Sequence, residues 1–422
     1  MADVKFRVAQ FQMSTAASGT QTLTIPDFGG TPKAAIFIMG GAIDADVDQN
    51  QVRACVGFTD GVRQSLTAYT DQLNQTTTRT HRYHSSTSCL GVASISESNT
   101  LFVAFSINSF ANNSVVLNID SASTANFSFT CIFIGGADVS NVYCDAVSLN
   151  ADTTPTDVTA PGFEPDLVFM TQIGLPTAPP VGTTNMFYSF GIAHNDGLDS
   201  QRSDLIYSDD AASTSYTRSS IRDDGTTGQL TSTSVVYIAT VGSYDASGFT
   251  ITPLSDAGSK WVFYLAIKTA NNPEIALLDT SIPTAGNYSE TIGFEPSFGF
   301  ICSNSLVTAK NIEERGTYSY GSTFFDASAV VTENFTAQDL VTYTKTFSRS
   351  STSLHMIEAG TTPSTIVASS AYSLTSTGWD FTLTTNPASP LLGWGLAIGP
   401  GGAPGVTFDG PNIVSQTGTQ DT

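Results

Sequence analysis

Short hydrophobic segments bounded by Gly, Pro, Asn, Asp or Ser recur along the whole chain. Several alternate apolar and polar residues with a period of two, as in TQTLTIPDF (20–28), FTITPL (249–254) and DFTLTT (380–385). Others, such as TLFVAFSI (100–107), are rich in β-branched and aromatic residues. A helix would need apolar residues at i, i+3 and i+4 over a dozen positions, and the sequence has no such stretch. The pattern therefore predicts an all-β protein.

The tetrapeptide Gly-Phe-Glu-Pro occurs twice, each time before an apolar run. The three related segments are DFGGTPKAAIFI (27–38), APGFEPDLVFM (160–170) and TIGFEPSFGFI (291–301), with Pro32, Pro165 and Pro296 at a spacing of about 130 residues. A later pair, ASGFTITPL (246–254) and STGWDFTLT (376–384), aligns Gly248 with Gly378, whereas the first copy offers NSVVLNID (113–120) without the glycine. Each copy ends on a strongly apolar segment: FSFTCIFIGG (127–136), KWVFYLAIK (260–268) or LLGWGLAIG (391–399).

Two further sets of residues recur in the same order. One set contains glycines within strand-like segments, which we interpret as bulges or points of close backbone approach: Gly57, Gly191 and Gly321. The other contains an arginine among hydroxyl residues: Arg82, Arg218 and Arg349. Anchors in a constant order predict a threefold tandem repeat.

The repeat predicts three tandem β-sandwich or jelly-roll-like domains, at residues 1–138, 139–270 and 271–401. Residues 402–422, rich in Gly, Pro and Thr, are predicted to form an extended C-terminal arm. Two assemblies stay open: the tandem copies form a trimer within one chain, or three chains associate through one domain.

Composition narrows the classes of partner. The net charge is −21, and only 13% of residues are charged, so the surface is polar mainly through hydroxyl and amide groups. Nucleic-acid binding requires clustered Lys and Arg, and anionic membranes require the same, so we expect neither partner. No apolar run reaches the length of a membrane-spanning helix, and MADVKFRVAQFQM has no signal-like region, which predicts synthesis in a reducing cytoplasm.

The five cysteines have no CxxC spacing and an odd count, so we predict small buried side chains rather than disulfides. Two of them, Cys89 and Cys144, are the candidates for an exception.

Candidate metal ligands are few. His81 and His84 are three residues apart, so on a strand they point to opposite faces and do not converge on one ion. His194 lies in the turn-like string AHNDG, and His355 has no assignable partner. Asp44, Asp46 and Asp48 alternate like the start of a calcium loop, but the following Gly and distal Glu are missing. A loose Ca²⁺ site there stays open against a solvated acidic loop.

Carboxylate pairs occur at 44–46, 208–210, 222–225 and 313–314, in contexts where Asp commonly bonds to turn backbone. The motifs GxSxG, HExxH and GxxxxGK[ST] do not occur. We therefore expect no enzyme and assign no catalytic, cofactor-binding or metal residue.

The pattern GFxPDLV, an Arg/Ser-rich middle, SxGFT and an aromatic closing strand resembles the repeats of tailed-bacteriophage virion proteins. Gly162–Val168, Ser247–Thr250 and Trp261–Ile267 carry the resemblance best, whereas the third copy has Ser297 in place of Asp and the first keeps little beyond the proline. The resemblance implies a non-enzymatic structural protein located in the virion, in contact with other virion proteins and with further copies of itself. An acidic, polar surface favours an outer capsid decoration or cement protein.

The alternative is a tail-fibre or adsorption protein that binds host surface glycan. Aromatic residues predicted in loops would then stack on sugars: Tyr69, Tyr83, Tyr216 and Tyr318.

Overall fold

The computed structural model describes residues 3–44, 46–72, 76–94, 100–198, 200–231, 234–255, 258–271, 273–304, 317–338, 346–358 and 363–399. The prediction of an all-β protein is confirmed: the regular structure of these residues consists of β-strands. In this part of the chain no helix has the length and hydropathy to cross a membrane. The predicted C-terminal arm at 402–422 lies outside the described residues.

The strands are numbered here in chain order and grouped into unit 1 (1–138), unit 2 (139–270) and unit 3 (271–401). Unit 1 contains β1 Lys5–Gln12, β2 Thr20–Thr24, β3 Ala34–Met39, β4 Gln49–Asn50, β5 Val52–Thr59, β6 Gln64–Asp71, β7 Thr80–Ser85, β8 Leu90–Ala93, β9 Leu101–Ala111, β10 Ser114–Ser121 and β11 Ser128–Gly135. Unit 2 contains β12 Val139–Ser148, β13 Thr156–Val158, β14 Leu167–Gln172, β15 Val181–Thr184, β16 Met186–His194, β17 Ser200–Ser208, β18 Thr217–Arg222, β19 Thr227–Leu230, β20 Val235–Asp245, β21 Gly248–Pro253 and β22 Trp261–Thr269. Unit 3 contains β23 Ile275–Ile282, β24 Tyr288–Thr291, β25 Phe298–Asn304, β26 Thr317–Asp326, β27 Val330–Gln338, β28 Thr346–Ser351, β29 His355–Glu358, β30 Ser364–Thr375, β31 Gly378–Thr385 and β32 Leu391–Ile398.

The same pair of antiparallel sheets forms in each unit. The larger, inner sheets have the orders β1-β11-β3-β5-β6-β7, β12-β22-β14-β16-β17-β18 and β23-β32-β25-β26-β27-β28. The smaller, outer sheets have the orders β2-β10-β9-β8, β13-β21-β20-β19 and β24-β31-β30-β29. This arrangement is consistent with the repeat inferred from the sequence.

Each unit has an apolar core between its two sheets. Phe37, Phe105 and Phe129 belong to the core of unit 1, Met170, Phe249 and Tyr264 to that of unit 2, and Ile301, Trp379 and Phe381 to that of unit 3. The outer sheets alternate buried and exposed positions: in β2, Leu23 is buried while the threonines on either side are exposed. This is the period-two pattern that the sequence predicts for a half-buried strand.

The inner sheets are buried on both faces, because their second faces meet in one central core shared by all three units. Phe6 and Ile36 of unit 1, Phe169 of unit 2 and Phe300 and Leu396 of unit 3 lie in this core. Strands such as β3 (AAIFIM) are therefore apolar at every position. The three units thus share one central core instead of forming separate globular domains.

Short strands also pass between units. The segment between β14 and β16 places β15 against β7 of unit 1, with Val181 opposite His84. The segment between β3 and β5 places β4 against β28 of unit 3, with Asn50 opposite Phe347. The equivalent connection of unit 3, residues 305–316, lies outside the described residues.

The pairing of the strands shows that the three glycines proposed as equivalent in the repeat do not all occupy the same position. Counted from the shared prolines, Phe37, Met170 and Ile301 are equivalent, and they pair with Gly57, Gly191 and Thr323. Gly321 is therefore two residues out of register with the other glycines. A Cβ at Gly57 would lie 1.7 Å from the Cys89 carbonyl oxygen and one at Gly191 2.0 Å from that of Thr226, so both are points of close backbone approach.

The arginine anchors are also out of register. Tyr69, Ile206 and Phe335 are equivalent in the paired strands, and their partners in the next strand are Arg82, Ser219 and Ser348. Arg218 thus lies one residue before the position equivalent to Arg82, and Arg349 lies one residue after it.

Candidate functional site

Buried polar side chains occupy one equivalent position on the second faces of the three inner sheets. Followed through the paired strands, the position is level with the sixth residue after each shared proline, namely Ile38, Thr171 and Cys302. It holds Thr67 in β6, Asp204 in β17 and Glu333 in β27. All three side chains are at most 1% exposed. We call these residues the junction triad, because each one contacts the next unit.

The contacts of the junction triad run in one direction around the molecule. The Thr67 hydroxyl lies 2.7 Å from the hydroxyl of Thr171 in unit 2. The Asp204 carboxylate accepts the indole N–H of Trp394 in unit 3 at 2.7 Å, together with the thiol of Cys302. Unit 1 is thus bonded to unit 2, and unit 2 to unit 3.

Glu333 completes the circle from unit 3 to unit 1. Its Oε1 accepts the Thr130 hydroxyl at 3.0 Å, and its Oε2 accepts the Gly40 N–H at 3.2 Å. Thr130 and Trp394 occupy equivalent positions in β11 and β32, since they pair with Ile38 and Cys302. The three units therefore form a closed ring with approximate threefold symmetry.

A second set of contacts joins the rims of the inner sheets. The Asp60 carboxylate accepts the Cys144 N–H of β12, and the Asp326 carboxylate accepts the Val8 N–H of β1, each at 3.1 Å. Between units 2 and 3, Arg202 instead forms a two-pronged ion pair with Asp279, at 2.7 and 3.2 Å. The two N–H bonds satisfy backbone groups of the edge strands β12 and β1, whereas the ion pair joins two side chains.

The ring is closed at its centre by aromatic side chains from every unit. The Tyr69 ring lies 5.4 Å from both Tyr188 and Phe335, whose rings are 6.5 Å apart. The same central core contains a small apolar cavity, with Ile36, Phe169 and Phe300 among its walls and a volume of about 10 Å³. Such a volume is about one water-sized sphere, so the centre is packed solid.

Two of the four buried carboxyl groups at the junctions, Glu333 and Asp71, have strongly raised pKa values. Burial raises the pKa of Glu333 to about 8, although hydrogen bonds from Ser350, Thr130 and Gly40 oppose the shift. Burial also raises the pKa of Asp71 to about 8, and the charges of Asp209 and Asp210 add to the effect. Both groups are therefore largely protonated at neutral pH.

Asp71 lies where the three units meet. Its Oδ2 accepts the hydroxyl of Ser208 in unit 2 at 3.4 Å, and its backbone oxygen accepts the hydroxyl of Thr346 in unit 3 at 3.2 Å. The other carboxyl oxygen, Oδ1, is buried without a hydrogen-bond partner.

The acidic loop with Asp44, Asp46 and Asp48, proposed as a calcium site, instead contacts unit 3. Asp48 forms an ion pair with Arg349 of unit 3 at 3.1 Å, and Asp46 lies 3.7 Å from the same guanidinium. Asp46 also accepts the Ser351 hydroxyl at 2.6 Å, while Asp44 accepts the Gln12 side-chain amide at 3.5 Å. The loop is anchored on unit 3 next to β4. Across the described residues, no group of three or more His, Cys, Asp or Glu side chains is arranged to hold a metal.

The four histidines have structural partners. His81 bonds to the Ser94 carbonyl oxygen at 2.8 Å, whereas His84 reaches the Thr177 carbonyl oxygen of unit 2 at 3.1 Å, which confirms that their side chains diverge. His355 lies 3.2 Å from the Thr365 hydroxyl, and His194 lies 3.8 Å from Asp196. Burial lowers the pKa of His84 and of His355 to about 4.

The carboxylate pairs bond local backbone in only some cases, and other members bond to a different unit or to an arginine. Asp209 accepts the Tyr216 N–H at 3.0 Å, and Asp210 accepts the Thr80 N–H of unit 1 at 2.8 Å. Asp224 pairs with Arg222 at 2.6 Å. Glu313 and Glu314 lie outside the described residues.

The tyrosines proposed for sugar stacking are mostly strand residues. Tyr69 belongs to β6 and is completely buried at the centre of the ring, so this expectation was wrong. Tyr83 belongs to β7 and Tyr318 to β26. Tyr216 precedes β18, is 37% exposed and stacks under Arg218.

All five cysteines are free and buried, which confirms the prediction from their spacing. Cys89 and Cys144, the expected exceptions, are buried like the others. Burial raises the pKa of Cys55 to about 12, so its thiol stays protonated and unreactive.

The sequence analysis missed the junction triad and Asp71. A hydroxyl residue and two acids at one position carry no common motif, and only the strand register reveals their equivalence. Comparison of the chain with protein-family models, curated proteins and solved structures finds no match.

Proposed function

We propose that this chain is a non-enzymatic structural protein of a tailed-phage virion and serves as an outer capsid decoration protein. The closed ring of three similar units is the observation that carries the proposal. A single chain with approximate threefold symmetry presents similar surfaces in three directions around one axis. It therefore fits a point of a capsid lattice where three capsomers meet.

The surface chemistry supports an exposed location. The outer sheets expose threonines, as at Thr22 in β2 and Thr382 in β31, and the net charge is −21. A strongly acidic chain is repelled by packaged nucleic acid and resists non-specific association at high copy number. The ordered ring needs no metal or cofactor to join its units, since hydrogen bonds, ion pairs and apolar packing already do so.

Quantitative mass spectrometry of purified virions from the phage that encodes this chain tests the proposal. The major capsid protein of the same particles provides the internal reference. We expect a fixed ratio of this chain to the capsid protein, with hundreds of copies per particle. Absence from the virion contradicts the proposal, and a copy number of about a dozen or fewer favours the tail instead.

A further inference from the structure

Glu333 and Asp71 are buried carboxyl groups that bond across unit boundaries without a cation beside them. Glu333 is 1% exposed and Asp71 is 2% exposed, and within the described residues neither forms an ion pair. Arg349, on the strand next to Glu333, is engaged by Asp46 and Asp48. A negative charge on either carboxyl would therefore be buried and uncompensated, which is costly.

The groups that face these carboxyls offer such a charge hydrogen bonds but no positive charge. Glu333 meets the Thr130 and Ser350 hydroxyls and the Gly40 amide, and the Cys55 thiol is the titratable group near it. Asp71 meets the Ser208 hydroxyl, the Tyr69 phenol and the carboxylates of Asp209 and Asp210. The two acidic neighbours of Asp71 make its ionisation harder still.

The contacts of Glu333 and Asp71 belong to the junctions and not to the sandwich cores. Glu333 joins β27 of unit 3 to β11 and Gly40 of unit 1, and Asp71 joins unit 1 to units 2 and 3. Each unit retains its own core between its two sheets. A local opening of the junctions would rehydrate the carboxyls while the core between the two sheets of each unit stays covered.

We propose that protons on Glu333 and Asp71 lock the ring, and that rising pH loosens the junctions while the individual sandwiches stay folded. This inference concerns the ring itself and does not depend on a virion role.

The sign of the effect follows from proton linkage. In the closed ring both carboxyls have pKa values near 8, whereas in an opened junction they return towards the ordinary values of 3.8 and 4.5. The closed form therefore binds more protons between these limits. The equilibrium constant for opening should rise by about tenfold per pH unit for each carboxyl in that window and level off above about pH 8.

Hydrogen–deuterium exchange of the intact chain, expressed as protection factors so that the intrinsic pH dependence cancels, measures junction opening. The reporters are the Gly40 amide, which bonds to Glu333, and the Gln51 amide, which bonds to the Thr346 carbonyl oxygen of unit 3 at 2.9 Å. We expect their protection to fall from pH 5 to pH 8, with less change at β31 in the outer sheet of unit 3. Equal loss of protection at both places contradicts a junction-specific lock.

Two variants identify the groups responsible. Glu333→Gln and Asp71→Asn keep the size and hydrogen-bonding capacity of each side chain but remove its titration. Each should lower the pH dependence of Gly40 and Gln51 protection by about tenfold per pH unit. If one variant fails to fold, as judged by circular dichroism, the other still tests the proposal.

Glu290→Gln is the matched control. Glu290 lies in β24 of the outer sheet of unit 3, and burial raises its pKa to about 7, but it is remote in the topology from the ring junctions. This variant should leave the pH dependence at Gly40 and Gln51 unchanged. A wild-type pH dependence in both Glu333→Gln and Asp71→Asn overturns the proposal.

Discussion

Asp204 illustrates how one buried side chain can bind two units that are far apart in sequence. Its carboxylate accepts the Trp394 indole N–H at 2.7 Å, and both side chains are completely buried. The equivalent residues Thr67 and Glu333 make the corresponding contacts elsewhere in the ring with different chemistry. All three residues at this position make a polar contact with the next unit, although the residue type differs in each unit.

Asp204→Ala should lower the free energy of unfolding by about 1–3 kcal/mol, because the buried Trp394 N–H loses its acceptor. Asp204→Asn keeps an acceptor oxygen and should cost less. Urea denaturation of the two variants measures the difference. Equal destabilisation by both would show that the acceptor is not what matters.

Glycine substitutions test the corrected repeat register. Gly57→Ala or Gly191→Ala forces a Cβ against a backbone carbonyl, at 1.7 or 2.0 Å, and should destabilise the protein by about 1–3 kcal/mol. Gly321→Ala is the matched control, since its Cβ meets side chains and no backbone: the flexible Met356 at 3.1 Å and Asn334 at 3.7 Å. Thermal unfolding of the variants should rank Gly321→Ala as the mildest, and any other ranking contradicts the register.

At the scale of the elements, the short strands β4 and β15, which pair with a strand of another unit, show what the local sequence can and cannot predict. The period-two pattern of TQTLT predicted β2, and the apolar closing segments predicted central strands such as β11 and β32. The acidic string around Asp46 looked like a solvated loop or a calcium site. Its partner Arg349 is some 300 residues away, and no local pattern encodes such a contact.

Calcium should not stabilise the protein, because Asp46 and Asp48 already share the charge of Arg349. We expect the melting temperature to be the same with Ca²⁺ as with a chelator. Arg349→Gln should lower the melting temperature by releasing the segment that carries β4. A rise with Ca²⁺ that disappears in an Asp46→Asn/Asp48→Asn variant would falsify this assignment.

At the scale of the whole molecule, the sequence predicted sandwich-like units but not how they are arranged. Strands such as AAIFIM are apolar on both faces, which indicates that something covers the second face. The apolar pattern alone does not show whether a loop, another chain or another unit covers that face. Phe169 and Phe300 became recognisable as neighbours only through the closed ring.

The shared core makes a prediction about cooperativity. Separation of one unit would expose the Tyr69, Tyr188 and Phe335 cluster and the apolar residues around it, so the units should support one another during heating. The large apolar area involved favours loss of the three units together.

Differential scanning calorimetry of the full chain at pH 6, where the junction carboxyls hold their protons, tests the closed ring most directly. The ring predicts a single transition whose calorimetric and van't Hoff enthalpies agree. Independent sandwiches would instead give a calorimetric enthalpy about three times the van't Hoff value, or resolved separate transitions, and either result would contradict the ring.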